Sequence, residues 1–148
     1  MADVVKIFNE AIPAEAGYNS TSGGTIAIGQ AVGVNASGEI CSATCVATNY
    51  VRAVGVALTT NTQGVFGDTK SREMVSYARN SVKLYDSTWA WTPGGTIYLL
   101  SGTNFSQTAP SDDNQMIQEI GTAINATSIS VAIGTPLKIS GGAIRAGI

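Results

Sequence analysis

Apolar residues along this chain alternate with polar ones instead of recurring at helical spacing. Residues 25–34 place Ile26, Ile28, Ala31 and Val32 as apolar points with Gly29 as a bend. Residues 128–133 put Ile129, Val131 and Ile133 on one face. A period of two marks a half-buried strand. Turn formers separate such runs: Asn35-Ala36-Ser37-Gly38, Thr92-Pro93-Gly94-Gly95, Ser101-Gly102-Thr103-Asn104 and Asn125-Ala126-Thr127. These residues supply tight, often left-handed backbone. Strands are therefore expected over residues 25–34, 39–47, 50–58, 96–100, 105–108, 115–124 and 128–133, with another around Val82 and Leu84 followed by a turn at Asp86-Ser87. Residues 71–79 fit a short helix or a strand, and strands on both sides favour the strand. About ten short strands at spacings near ten residues predict an all-β fold, a small barrel or sandwich.

Two of these strands say nearly the same thing. Val51-Arg52-Ala53-Val54-Gly55-Val56-Ala57-Leu58 and Ile117-Gln118-Glu119-Ile120-Gly121-Thr122-Ala123-Ile124 share one pattern: aliphatic, two variable residues, aliphatic, Gly, one variable, Ala, aliphatic. Upstream of each lies a Gly-Thr-Ile, at Gly24-Thr25-Ile26 and Gly95-Thr96-Ile97. A duplicated unit predicts two similar β-layers closing on each other. Gly55 and Gly121 are expected as structural glycines, at bends or bulges where a side chain does not fit. The pattern carries no reactive side chain, so it reads as a building element.

Three regions follow. Residues 1–22 read as an extended arm: Val4, Val5, Ile7 and Phe8 form an apolar hook on a Pro/Gly/Ser-rich lead. The arm fits either a frayed terminus or first edge strand, or a segment docking on a neighbouring subunit. Residues 23–136 form the β-domain. Residues 137–148, with Gly141, Gly142 and Gly147, read as a tail that is loose or ordered only on a partner.

Composition narrows the function. A chain of 148 residues buries a sizeable core as one domain. Charged residues are 12%, about half the usual share. So sparse a charge suits a surface covered by partners, and hence a homo-oligomer. The net charge of −2, with Lys and Arg unclustered, argues against nucleic acid. No apolar run reaches the roughly 18 residues of a membrane span. The start lacks a basic stretch followed by an apolar run, which points to folding in a cytosol.

Chemistry-bearing residues are few. There is no histidine, and Cys41 and Cys45 alone do not supply a metal site, so neither metal nor cofactor is expected. On one strand the two cysteines would stand about 13 Å apart, too far for a disulfide. They read as small core residues, with a bridge across a turn as the alternative. Lys6, Lys70, Lys83 and Lys138 lack a Ser-x-x-Lys spacing, and Asp112-Asp113 sits in a loop. An enzyme is the least favoured class. Trp89 and Trp91, two apart on an expected strand, would share a face. They suit a core position, a subunit interface, or, with Tyr85 or Tyr98, a sugar-stacking platform.

The second unit resembles a module of tailed-bacteriophage virion proteins. The resemblance is carried by Pro93-Gly94-Gly95-Thr96-Ile97-Tyr98-Leu99, then Gly102 through Phe105-Ser106-Gln107-Thr108-Ala109-Pro110, then Ile117 to Ile124. With Gly29, Gly33, Gly38 and the Val54-Gly55-Val56-Ala57 strand, the chain is similar to small β-barrel head decoration (cement) proteins. That resemblance implies a trimer on the outside of the capsid, contacting the major capsid protein through arms or loops and stabilising the shell. It implies no catalytic residues. The insert at residues 65–91 departs from the simplest members. A carbohydrate-binding module and a tail or baseplate subunit are the alternatives.

Overall fold

Alternating strands joined by tight turns build two antiparallel layers and a small third sheet. They are seen in a computed structural model that describes residues 3–6, 15–18, 26–46, 50–58, 74–112, 115–140 and 143–146. No helix occurs among the described residues. The strands are β1 (Asp3–Lys6), β2 (Glu15–Tyr18), β3 (Ala31–Val34), β4 (Ile40–Ser42), β5 (Gly55–Ala57), β6 (Met74–Ala78) and β7 (Asn80–Tyr85). They continue as β8 (Thr96–Ser101), β9 (Asn104–Ser106), β10 (Met116–Ile117), β11 (Glu119–Asn125), β12 (Ser128–Ala132), β13 (Leu137–Ser140) and β14 (Ala143–Ala146). The larger layer runs β1-β7-β12-β11-β8-β9, the second β2-β6-β5-β3-β4, and the small sheet β10-β13-β14.

The sequence repeat becomes a structural repeat. In the second layer β6-β5-β3-β4 lie side by side; in the larger layer β12-β11-β8-β9 do. Each unit has a hairpin, β3–β4 or β8–β9. The strand carrying the repeated glycine, β5 or β11, pairs with the first strand of that hairpin. The following strand, β6 or β12, pairs on its far side. The two layers sandwich one core. Ala31, Ala43, Cys45, Ala53 and Val56 meet Val82, Leu84, Ile97, Leu99, Ile120, Ala123, Ile129 and Val131 in it. A second cluster of Ile26, Val32, Ile40, Ala57, Val75 and Tyr77 covers the other face of the smaller layer. That is why β5 is buried at every residue, whereas β7 keeps Tyr85 exposed outside Leu84. At one corner the layers join: Thr44 bridges Ser101, and the Cys45 amide donates to the Leu100 carbonyl at 3.1 Å.

The repeated glycines are required by space. A Cβ at Gly55 would lie 2.7 Å from the Ala78 carbonyl oxygen and 2.8 Å from the Tyr77 ring. One at Gly121 would collide with the Ser130 carbonyl. Neither is among the glycines with positive φ. The expected bulge is present beside Gly121, where the β11–β8 register shifts after Glu119. The β5 ladders show no such shift.

Some expectations are met and others corrected. Of the alternatives for the arm at residues 1–22, the edge strand is the one seen, twice over and on its own chain: β1 pairs with β7, and β2 with β6. Bare edges of β7 and β6 would leave backbone groups unpaired, and the arm satisfies them. Val4 and Val5 sit in β1; Ile7 and Phe8 lie outside the described residues. The tail after residue 136 is also strand: β13 pairs with β10 and β14, and Ile139 is buried. The strand expected over residues 50–58 shortens to β5, with Val51 in an isolated bridge. Residues 71–79 do contain a strand, β6. The part of the insert before it, residues 65–73, lies outside the described residues.

The strand expected over residues 115–124 breaks at Gln118. Its two halves, β10 and β11, go to different sheets. Gln118 is completely buried. Its Oε1 accepts from the Ala53 amide at 2.7 Å, and its Nε2 donates to the carbonyls of Ala53 at 2.9 Å and Gly134 at 3.0 Å. Leucine has a similar size but satisfies none of these groups. Gln118→Leu is expected to cost about 3–5 kcal/mol, as buried backbone groups lose their partners. Gly55→Ala and Gly121→Ala are each expected to cost about 1–3 kcal/mol through overpacking. Urea unfolding followed by circular dichroism checks both, with exposed Thr122→Ala as the control. Midpoints equal to the control would refute the packing account.

Candidate functional site

Where β7 ends, the chain turns on its own side chains. Asp86 is buried, and its Oδ1 accepts from the Thr88 amide at 2.9 Å and the Thr88 hydroxyl at 2.7 Å. An aspartate bonding the backbone two residues on is an Asx turn. The Trp89 amide donates to the Asp86 carbonyl at 3.2 Å. The segment is fastened to the β11–β12 turn: the Asp86 amide reaches the Thr127 carbonyl at 3.0 Å and the Trp91 amide the Ala126 carbonyl at 2.8 Å. These bonds leave no strand at Trp89 and Trp91, contrary to expectation. The two rings nevertheless meet, with centroids 5.4 Å apart and planes tilted by 49°. Trp89 also meets Phe105 of β9 at 6.2 Å. All three are half-buried and pack on the intersheet core. The Trp91 Nε1 is buried without a hydrogen-bond partner.

Beside Trp89 a cavity of about 350 Å³ opens between three turns. One wall is the turn at residues 27–30, a second is Asp86 with Trp89, and the third is the β8–β9 turn with Thr103, Asn104 and Phe105. The first turn is shaped by Gly29, at φ 82°, which L side chains rarely adopt. Gln30 holds it from inside: Oε1 accepts from the Ala27 amide at 3.1 Å and Nε2 donates to the Ser42 hydroxyl at 3.0 Å. The hairpin turn tucks against these groups because Gly102 has no side chain; a Cβ there would meet Gln30 and Ser42. The Ala31 amide then donates to the Gly102 carbonyl at 2.8 Å. The lining carries one carboxylate, Asp86, and no Lys or Arg. It combines aromatic surface with a carboxylate, two amides and a hydroxyl.

Of the residues expected to bind, Trp89 lines this cavity and Trp91 stacks behind it. Tyr85 is 40% exposed on the outer side of the larger layer, and Tyr98 is half-buried on β8. Ring contacts join the tryptophans to each other and Trp89 to Phe105, which the sequence singled out only as part of the virion-module motif. Asp86 was expected only as part of a turn. Both cysteines are free thiols, Cys45 buried and Cys41 half-buried. Burial pushes both thiols above their ordinary pKa, with Glu39 adding to it at Cys41 and Asp112 at Cys45. Among the described residues, no group of three or more His, Cys, Asp or Glu converges. No helix among them is long and apolar enough to cross a membrane.

The hydrogen bonds from the Thr88 hydroxyl and amide hold the Asp86 carboxyl below its ordinary pKa. A carboxyl depressed by folding stabilises the native state above its unfolded pKa of about 4, and that contribution is lost as pH falls through the lowered value. Asp86→Asn keeps an acceptor for Thr88 but cannot titrate. Below pH about 4 the wild type should therefore lose stability more steeply than this variant. Urea midpoints measured from neutral to acidic pH check the difference, and parallel profiles would remove Asp86 from the account.

Comparison of the chain with protein families, with curated proteins and with solved structures finds no match. The functional reading therefore rests on the chain's own residues and geometry.

Proposed function

We propose that this protein is a non-enzymatic structural component of a tailed-phage virion, a decoration protein that binds the outside of the assembled head. Its partners are the major capsid protein and further copies of itself, most simply as a trimer. It is made in the host cytoplasm and resides on the capsid exterior. One observation carries the reading. The residues behind the virion-module resemblance, 93–110 and 117–124, build β8, β9 and most of β11, three of the four strands of the second β-unit, and the same strand order is built again from the first unit. Their glycines and Gln118 serve close packing, which suits a part used for shape.

The outer face of the larger layer supports the same reading. Ile97, Leu99, Val82, Leu84, Ile129 and Val131 point into the core, so their neighbours point out. Thr96, Tyr98, Lys83, Tyr85, Ser130 and Ala132 make that outer face, with Glu119, Thr122 and Ile124 from β11. Lys83 and Glu119 are its charged members, of opposite sign, and Tyr85 and Ile124 are 40% and 47% exposed. A broad, weakly charged sheet face suits contact with a protein lattice. A protein that binds only the assembled shell stabilises it by its binding free energy. Repetition over many sites turns modest contacts into avidity.

The purified protein is expected to scatter light as an oligomer of its 15.2 kDa chain. It should cosediment saturably with expanded empty heads of the virus that encodes it. Ile124→Glu should leave the melting temperature within a few degrees of wild type while reducing head binding at least tenfold. Recovery with tails alone would favour a tail or baseplate subunit, and recovery with neither particle would overturn the proposal.

A further inference from the structure

We propose that the outer face of the larger layer docks on the same face of a second copy, making the free protein a twofold dimer. The inference goes beyond the head-binding reading and does not rest on it: it names what covers this face when no head is present. The face is open in the single chain. Tyr85 and Ile124 are 40% and 47% exposed, and Glu119, Thr122 and Ala132 are exposed as well. Apolar area of this kind leaves water when it meets another protein surface. The two charges of the face stand apart, and neither meets an opposite charge across its ladder. Lys83 of β7 lies between Val5 of β1 and Ser130 of β12, and Glu119 of β11 lies beside Tyr98 of β8.

The strand register makes the face self-complementary. Lys83, Ser130, Thr122 and Thr96 form one row across the sheet. Glu119 and Tyr98 share a second row, two β8 residues further on. With strands about 4.8 Å apart and a rise of about 3.4 Å per residue, Lys83 and Glu119 stand about 12 Å apart, on either side of β12. A twofold axis lying in the face and passing between Ser130 and Ala132 exchanges these two positions. Lys83 of each copy then meets Glu119 of the other. The same axis brings Tyr85 close to Tyr98, and Ser130 close to Thr122. The small residues at the axis let the two sheets approach. In such an isologous contact every pairing occurs twice, so both charges of both copies find partners. A copy shifted along the face would leave them against hydroxyls or rings, and would lose that complementarity.

Four strands of five to seven residues give roughly 400 Å² of sheet per copy. That is smaller than a standard interface, so the dimer is weak and reversible. A twofold contact also closes at two copies, and is distinct from any trimer formed on the head. A repeated lattice on the head can therefore displace the second copy through avidity.

Sedimentation equilibrium of the full-length protein at low salt, without heads, tests the proposal. Wild type should approach twice the 15.2 kDa chain mass, with a Kd between about 1 and 100 µM. Lys83→Glu and Glu119→Lys should each weaken the dimer at least tenfold. An equimolar mixture of the two variants should dimerise like wild type, because every pairing between copies is again of opposite charge. Ala132→Arg, beside the axis at an exposed position, should abolish the dimer while leaving the melting temperature near wild type. That variant keeps the test standing if a charge variant fails to fold. A monomer throughout the concentration range, an oligomer other than a dimer, a mixture no more associated than its components, or full dimerisation by Ala132→Arg would each overturn the proposal. Cosedimentation with heads is a separate readout, and its failure in a dimeric protein overturns the head-binding reading alone.

Discussion

Gln118 is a polar side chain in the middle of an apolar sandwich, and both layers are registered on it. Its amide accepts from and donates to Ala53, a residue 65 positions earlier in the other repeated segment, and donates again to Gly134. An apolar residue would let the layers slide, since hydrophobic contact has no direction. A directional amide admits one arrangement, because any other leaves buried groups unpaired. Gln118 is also where the chain leaves the small sheet and enters the large one. The Leu99 amide donates to the Gln118 backbone carbonyl at 3.0 Å, so its main chain binds the larger layer while its side chain reaches across to Ala53. The repeated segments are thus held by a residue that occupies a variable position in the repeat.

This explains what could be read in the sequence. Alternation, turn residues and the repeat depend on neighbours within a few positions, and those expectations correspond to β3, β8, β12 and the turns at Gly38 and Gly94, both at positive φ. The duplicated pattern foreshadowed two four-stranded units of identical order. The division of residues 115–124 at Gln118 was not legible, because it depends on hydrogen bonds to residues far along the chain. The same holds for the arm and the tail. Their sequences look loose, yet each meets a strand edge whose unpaired backbone accepts it.

The site was legible only in part. Trp89 stood out by type, and aromatic surface is informative wherever it falls. Asp86 looked like an ordinary turn residue; its burial follows from Thr88 satisfying it and from the β11–β12 turn closing over its backbone. Phe105 and Gln30 become neighbours only when the two layers join at the Thr44–Ser101 corner. A cavity made by three turns from both repeats has no signature in any one of them.

The same joining separates two surfaces that the sequence places side by side. Tyr85 and Asp86 are consecutive, but the last residue of β7 points away from the core and the next turns inward to meet Thr88. The outer face of the larger layer is therefore a strand face, low in charge and broad. The cavity is a turn-built pocket, aromatic and acidic. A flat strand face and an enclosed pocket make opposite demands, one for apolar area and one for hydrogen-bonding groups turned inward. The period-two geometry of a strand allows both within two residues. The wall formed by Asp86 with Trp89 therefore belongs to the turn that folds inward, while Tyr85 stays with the outer face.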